Sequence, residues 1–240
     1  MRSETQRVLR WFGYEFRKVR KFGADPIADV KKLTVAPDSP VIFDVGANVG
    51  HFISELLRDF PSPTIHAFEP SPSTYSLLKE RWAPYPNIFL NELALGSRPE
   101  NRVLIESSLS DMTSLLEPGT QCWGEVLARR SVAVSTIDSY AERAGVHRIN
   151  LLKIDTQGFD LEVMRGGKEM LRRRAIEFVF VEITFADLYS GQATLPQVFE
   201  FLIGNGFSLV AFYGMNFVED KAGWTDALFI NSMYEKSGRS

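Results

Sequence analysis

Asp44, Glu69, Lys153, Asp155 and Glu182 are the residues of this 240-residue chain whose types and settings could do chemistry. Each lies in or at the end of a short apolar run that reads as a buried strand. Asp44 is in "PVIFDVG", Glu69 ends "TIHAFEP", Lys153 and Asp155 share "INLLKIDTQG", and Glu182 is in "IEFVFVEIT". A carboxylate flanked by Val181 and Ile183 needs a partner or a task. Lys153 is two residues before Asp155 and points to the same face of the strand. Pairing would hold Asp155 ionised and lower its basicity. Asp155 is the first candidate for a general base or an acceptor-orienting group, and Glu182 the second. The structural alternatives are a turn cap for Asp155 in "DTQG" and a plain ion pair with Lys153 for Glu182. Asp155, Asp160 and Glu182 are also oxygen ligands of the kind a divalent metal takes, but their spacing demands none, and no metal is expected.

The loop "FDVGANVG" supplies a second constellation. Gly46 permits a tight turn with no Cβ in a ligand's path. Asn48 is among the few non-glycine residues that tolerate positive φ, and Gly50 allows close helix–strand packing. Glu69 follows Gly50 by 19 residues, and a carboxylate there can accept hydrogen bonds from both hydroxyls of a ribose. A solvated loop acid is the alternative, but a Gly-rich loop, a strand and a terminal acid together point to a nucleoside-bearing ligand. Asn48 stands where a dinucleotide fingerprint has its second glycine, the one that lets pyrophosphate approach the backbone. Asp44 suits an indirect, water-mediated contact with a cationic group of the ligand. His51, at a helix N-terminus, is read as a surface residue, and His66 and His147 as structural. No serine sits in a nucleophile elbow.

The elements that must position these residues alternate. Strands at "PVIFDVG", "TIHAFEP", "IFLNELALG", "INLLKIDTQG" and "IEFVFVEIT" are interleaved with helices at "HFISELLRDF", "PSTYSLLKERW", "FDLEVMRGG" and "LPQVFEFLIGNG". "RVLIESS" and "SVAVS" read as further strands, with a helix starting near Ser135 or Thr136. This alternation predicts an α/β fold with a mostly parallel sheet and helices on both faces. "FSLVAFYG" and "DALFIN" follow each other without a helix, which predicts a reversed strand at one edge. The Ser-rich stretch "ESSLSDMTS" either closes over the ligand or is an exposed connection.

Composition is that of an ordinary globular chain, 45% apolar and 24% charged. No apolar run reaches the roughly 18 residues of a membrane span. The N-terminus has no apolar signal-peptide core. One cysteine, Cys122, excludes an intrachain disulfide and fits a reducing, cytoplasmic setting. Residues 1–32 carry nine Lys/Arg against four Asp/Glu, a balance of +5, which leaves −8 on the remainder. An acidic main domain is not a nucleic-acid binder. Residues 1–36 read as a basic helical extension and 37–240 as the main domain. In the extension Val8, Phe12, Phe16 and Val19 share one helical stripe, with Trp11 close by. That stripe either docks on the domain or lies at an anionic membrane surface, peripheral to the inner face. Asp25 and Pro26 then read as N-cap and N1 of a short helix.

Taken together, "FDVGANVGHF", "IHAFEPSPSTYSLL", "NELALGS", "VSTIDSY", "LLKIDTQGFDLEVMRGG", "FVFVEITFADLYSGQ" and "DALFI" resemble the FkbM family of S-adenosylmethionine (SAM)-dependent methyltransferases, over about residues 40–231. The resemblance implies a Rossmann-like class I methyltransferase fold with a seven-stranded sheet. It implies SAM as cofactor and methylation of a hydroxyl oxygen, often on a sugar or a polyketide. Asp44, Gly46, Ala47, Asn48, Gly50, Glu69, Pro70, Ala94, Ser97 and Asp155 are then the expected cofactor-binding residues, Ala94 and Ser97 lying where adenine sits in such folds. Asp155, Glu182 and Lys153 are the expected catalytic group. Tyr189 and Trp224 are candidates to stack on a sugar ring. The acceptor is expected to be a small molecule or a glycan, and an oligomer is compatible with the sequence. The competing readings are a nicotinamide-dependent oxidoreductase, weakened by Asn48 and the lack of a substrate domain, and a catalytically silent binding module of the same fold.

Overall fold

A computed structural model describes residues 22–235. In chain order the elements are α1 Pro26–Leu33, β1 Val41–Val45, α2 His51–Asp59, β2 Thr64–Phe68, α3 Pro72–Trp82, β3 Ile88–Asn91, β4 Ala94–Leu95, β5 Glu100–Ser107, β6 Val126–Ser135, α4 Ile137–Ala144, β7 Ile149–Ile154, α5 Asp160–Arg165, α6 Lys168–Arg172, β8 Ile176–Thr184, α7 Leu195–Gly204, β9 Phe207–Val218 and β10 Lys221–Asn231, with short 3₁₀ turns at Ser110–Met112 and Ser232–Tyr234. Seven strands form the main sheet in the order β3-β2-β1-β7-β8-β10-β9. All neighbours are parallel except β10, which runs antiparallel to both β8 and β9. The reversed strand is therefore inserted one place in from the edge, which β9 forms.

The apolar strand runs divide by alternation between two cores, as a sheet covered on both faces requires. Phe43, Leu152, Val179 and Val181 join one cluster. Ile42, Leu151, Phe178 and Phe180 join the other. Within "IFLNELALG" the chain leaves the main sheet after Asn91, whose Nδ2 donates to Ala67 O (3.0 Å) and Phe89 O (3.1 Å) and closes the ladder. Ala94–Leu95 then pairs with β6 in a second sheet of order β4-β6-β5. Residues 97–130 read poorly because β6 buries only its last residues and β5 only its second half.

The first 21 residues, with the basic stripe expected to dock or to meet a membrane, lie outside the described residues. What is described of the extension is packed into the domain, so packing runs unbroken through residue 36. Asp25 caps α1 by accepting from Ile27 N (3.0 Å) and Ala28 N (3.1 Å). Ile27 and Val30 share a core with α2. Tyr213 OH donates to Asp29 (2.8 Å), and Thr34 Oγ1 and Val35 N donate to the buried Glu177 (3.2 and 2.8 Å).

The junction that shapes the site lies at the C-terminal ends of β1 and β7. Gly46 has φ +77°, and a Cβ built on it would stand 1.9 Å from the Asp155 carbonyl oxygen. A side chain is therefore excluded by the neighbouring strand rather than by a ligand. Gly50 is excluded from carrying one by a helix, since its Cβ would stand 2.1 Å from Trp82 Nε1 of α3. Gly46→Ala should lower unfolding stability by about 2–4 kcal/mol, from positive φ and backbone collision together. Urea denaturation measures it, and a loss below about 0.5 kcal/mol would contradict this junction.

Candidate active site

A cleft of about 650 Å³ opens at the C-terminal ends of β1, β2 and β7. Of the expected cofactor residues, Gly46, Asn48, Glu69, Pro70, Ala94 and Asp155 line it. Asp44, Ala47, Gly50 and Ser97 stand outside the lining. Ser97 lies past β4, its hydroxyl facing Glu162 of α5. The far wall is apolar, with Leu93, Leu95, Leu104 and Phe159, and Ser110–Asp111 with Thr113–Leu115 cover the opening. The Ser-rich stretch thus contributes Ser110 and Asp111 to the cleft lining. Ser114 pairs with Ile105 through two backbone hydrogen bonds.

Glu69 links the two loops at one end of the cleft. Its carboxylate accepts from Asn48 N (3.0 Å) and Ser71 N (2.8 Å). Burial pushes its pKa up to about 7, against the pull of those two N–H groups. Asn48 adopts φ +49°, as its type allows. Its side chain meets Ser110 Oγ (Nδ2 at 3.2 Å) and accepts from Val49 N (2.8 Å). Ser71 Oγ donates to Glu106 (2.7 Å), and Glu106 is held by Arg130 (2.6 Å). The second sheet thereby pins the segment that carries Glu69, a role for Glu106 that no sequence signal disclosed.

Lys153 organises the other end. Its ammonium lies 3.0 Å from Asp44 Oδ1, 3.6 Å from Asp155 Oδ2 and 3.0 Å from the Gly46 carbonyl oxygen it donates to. Burial works against that charge, but Asp44 and Asp155 outweigh it and keep Lys153 protonated far above ordinary pH. Asp44 is fully buried, and its Oδ2 has no hydrogen-bonding partner among the described residues. Glu182 does not form the ion pair with Lys153 that was its structural alternative. It receives only a long bond from Thr184 Oγ1 (3.4 Å) and stands opposite Asp226 across the β8–β10 ladder. Burial, then Asp155, Asp160 and Asp226, raise it well above the carboxylate range. Asp226 is pushed up to about 7 by burial and by Asp155, against Lys153. Asp226 was missed, although the argument that singled out Glu182 applies to an acid in "DALFIN".

The turn after β7 is capped by Asp160 and not by Asp155. Asp160 Oδ1 accepts from Thr156 N (2.9 Å) and Thr156 Oγ1 (3.0 Å), and Oδ2 from Gly158 N (3.1 Å). Asp160 thus spends both oxygens on the backbone, and no group of three metal-ligand side chains converges among the described residues. Asp155 is left with 40% of its side chain exposed, facing the cleft. Its Oδ1 accepts from Gln157 Nε2 (2.7 Å), a second residue the sequence reading did not single out. Tyr189 is 1% exposed and offers no ring face to a sugar. Trp224 stands beside Trp123, ring centroids 5.6 Å apart. His66 is buried, bonded to Tyr140 OH (2.9 Å), and its pKa falls to about 4 through burial. His51 and His147 are exposed.

With the geometry in place, the comparisons with known proteins are direct. The Methyltransferase FkbM domain matches residues 44–209, and the chain belongs to that family. It is a SAM-dependent methyltransferase of the class I, Rossmann-like type. It is 29% identical over 194 residues to the 2-O-methyltransferase NoeI of Sinorhizobium fredii, covering 76% of this chain and 77% of that one. It is 29% identical over 157 residues to the hexuronic acid methyltransferase AglP of Haloferax volcanii, covering 63% and 59%. It is 27% identical over 203 residues to the 31-O-demethyl-FK506 methyltransferase FkbM of Streptomyces tacrolimicus, covering 71% and 74%. Among the described residues no helix is long and apolar enough to cross a membrane.

The cleft fits SAM. Glu69 keeps one lone pair on each oxygen beyond its two backbone bonds. The apolar wall suits a base, and Asn48 puts a side chain in the lining where a dinucleotide fingerprint has its second glycine. The raised Asp226 carboxyl makes a separate prediction about stability. Its ionisation is easier in the unfolded chain, so wild-type stability falls as pH rises from about 4 to about 7. Asp226→Asn removes that loss, and its stability relative to wild type should be higher at pH 8 than at pH 5. Thermal melts at the two values check this, and an equal difference at both would contradict it.

Proposed function

We propose that the protein transfers the methyl group of SAM to a hydroxyl oxygen of a sugar, a glycan or a polyketide-type natural product, with Asp155 taking the hydroxyl proton. The observation that carries the reading is the cleft-facing Asp155 carboxylate, on the strand that touches the Gly46 loop. Relatives named for oxygen methylation of a 2-O position and of a 31-O-demethyl polyketide, and one named for a hexuronic acid, support the acceptor class. The nicotinamide reading finds no such support, because Asn48 carries a side chain, bonded to Ser110, where a dinucleotide loop has its second glycine. An exposed carboxylate on the floor of a formed cleft argues against a silent module.

When bound, SAM supplies an electrophilic methyl group on a positive sulfur. The chain's own residues do the rest. Glu69 accepts from the ribose hydroxyls, and Gly46, Asn48 and Pro70 shape the loops on either side. Ala94 and the apolar wall hold the base. Asp44, buried behind the cleft, acts on the cofactor only indirectly, by holding Lys153 beside the Gly46 loop. Asp155 binds the acceptor hydroxyl and accepts its proton as the oxygen attacks. Lys153 offsets the negative charge of Asp44 and Asp155 and ties Asp44 to the loop carbonyl. Glu182 and Asp226, opposite each other across the β8–β10 ladder, form a pair near Asp155 that resists carrying two charges.

Two measurements test this reading. Asp155→Asn should bind SAM as the wild type does and lose about 100-fold or more of transfer to a hydroxyl acceptor. Labelled SAM with glycan and polyketide acceptors reads the transfer, and undiminished turnover would remove Asp155 from the mechanism. In calorimetry, wild-type SAM affinity should rise between pH 6 and pH 8, because the ribose is held by the ionised form of a carboxyl that titrates near 7. Glu69→Gln should weaken binding by about 10- to 100-fold and abolish that pH dependence. A wild-type affinity flat across this range would contradict the assignment.

A further inference from the structure

A base that removes a proton during an in-line displacement must present one lone pair in a fixed direction, and a carboxylate on a solvent-facing turn has no such direction of its own. Asp155 has 40% of its side chain exposed, and Lys153 is at 3.6 Å, beyond hydrogen-bond length. What fixes it is a neutral chain. Tyr189 OH donates to Gln157 Oε1 (2.7 Å), and Gln157 Nε2 donates to Asp155 Oδ1 (2.7 Å). The proton directions follow from the chemistry. An ionised carboxylate only accepts, so the amide must turn its nitrogen towards Asp155 and its oxygen towards Tyr189. Tyr189 must then donate, since the other acceptor near its hydroxyl is the Met112 thioether at 3.6 Å, a weak one.

Both members are anchored well beyond what a surface turn needs. Gln157 holds φ +54°, a strained conformation for a residue of its type. Its carbonyl oxygen is gripped by Ser114 Oγ (2.7 Å), from the segment that covers the cleft. Tyr189 is sealed among Met112, Ala186 and Leu188. Its backbone N–H donates to Gln192 (2.8 Å), and it bridges to Pro118. Burial raises the phenol's pKa, so it remains a proton donor throughout the working range.

We propose that Gln157 and Tyr189 are positioning residues of the transfer reaction, a hydrogen-bond chain that locks Asp155 Oδ1 and leaves Oδ2 aimed at the acceptor hydroxyl. The proposal rests on Asp155 being the proton acceptor. It gives the buried Tyr189 a task other than stacking, and it couples the base to Ser114 of the cover.

The test uses near-isosteric variants of the full chain, with kcat, acceptor KM and SAM Kd measured for each. Tyr189→Phe should lower kcat about three- to tenfold, and Gln157→Met about tenfold or more, from the loss of a neutral and a charge-assisted bond respectively. SAM Kd and acceptor KM should stay within about twofold in Tyr189→Phe, whose side chain lines no part of the cleft. Because both act through one carboxylate, the double variant should be no slower than Gln157→Met alone, whereas independent structural damage would multiply. Asp155→Asn serves as the reference. If it is inactive while both single variants keep wild-type kcat, or if their losses multiply, the chain is not a positioning device. If Asp155→Asn keeps wild-type turnover, it is the base assignment that fails, and the positioning role falls with it.

Discussion

Everything in the site depends on how closely β1 and β7 end beside each other. Gly46 has no Cβ because the Asp155 carbonyl stands where one would be, and Asp155 N donates to Val45 O (3.0 Å). Lys153 then reaches back to the Gly46 carbonyl. One contact thus brings the Gly46 loop, the Lys153 cation and the Asp155 carboxylate together. Glu69 is tied to the same loop through Asn48 N, so the places proposed for the ribose and for the acceptor hydroxyl depend on a single backbone junction. Proximity of this kind is the largest resource a methyl transfer has, since the chemistry offers the protein few other handles.

The electrostatics follow from putting one lysine among several acids. Asp44 and Asp155 take the Lys153 charge, and Glu182 and Asp226 are left facing each other across the β8–β10 ladder with burial working against both. Carboxyls that resist ionisation act as hydrogen-bond donors as well as acceptors, which suits an acceptor rich in hydroxyl groups.

Much of this was legible before any coordinates. The positive φ of Asn48, the Asp25–Pro26 cap and the terminal acid Glu69 follow from residue type and spacing, because each is decided within a few residues of chain. The parallel sheet was legible because its strands are apolar on both faces. Other features depend on contacts between distant segments. Asp155 looked like the natural cap of its own turn, yet Asp160, five residues on, takes that role, and only the geometry of α5 decides between them. Gln157 sits inside the most telling motif, but its task appears only when Tyr189 is brought to it from 32 residues away. For Tyr189 the sequence leaves sugar stacking and a plain core position both open, because nothing local says whether its ring is buried. Residues 97–130 were obscure because a half-exposed three-stranded sheet carries little hydrophobic period. Asp226 was legible as an acid in an apolar run, but its pairing with Glu182 depends on the register of β10 against β8.

The central claim is that one cleft seats the cofactor between Gly46 and Glu69, with Asp155 at the acceptor. A crystal structure with S-adenosylhomocysteine tests it most directly. The account predicts the ribose hydroxyls on the Glu69 carboxylate, the base against Ala94 and Leu95, and Asp155 facing the open side near the sulfur. A nucleoside lodged elsewhere, or Glu69 turned from the sugar, would contradict it.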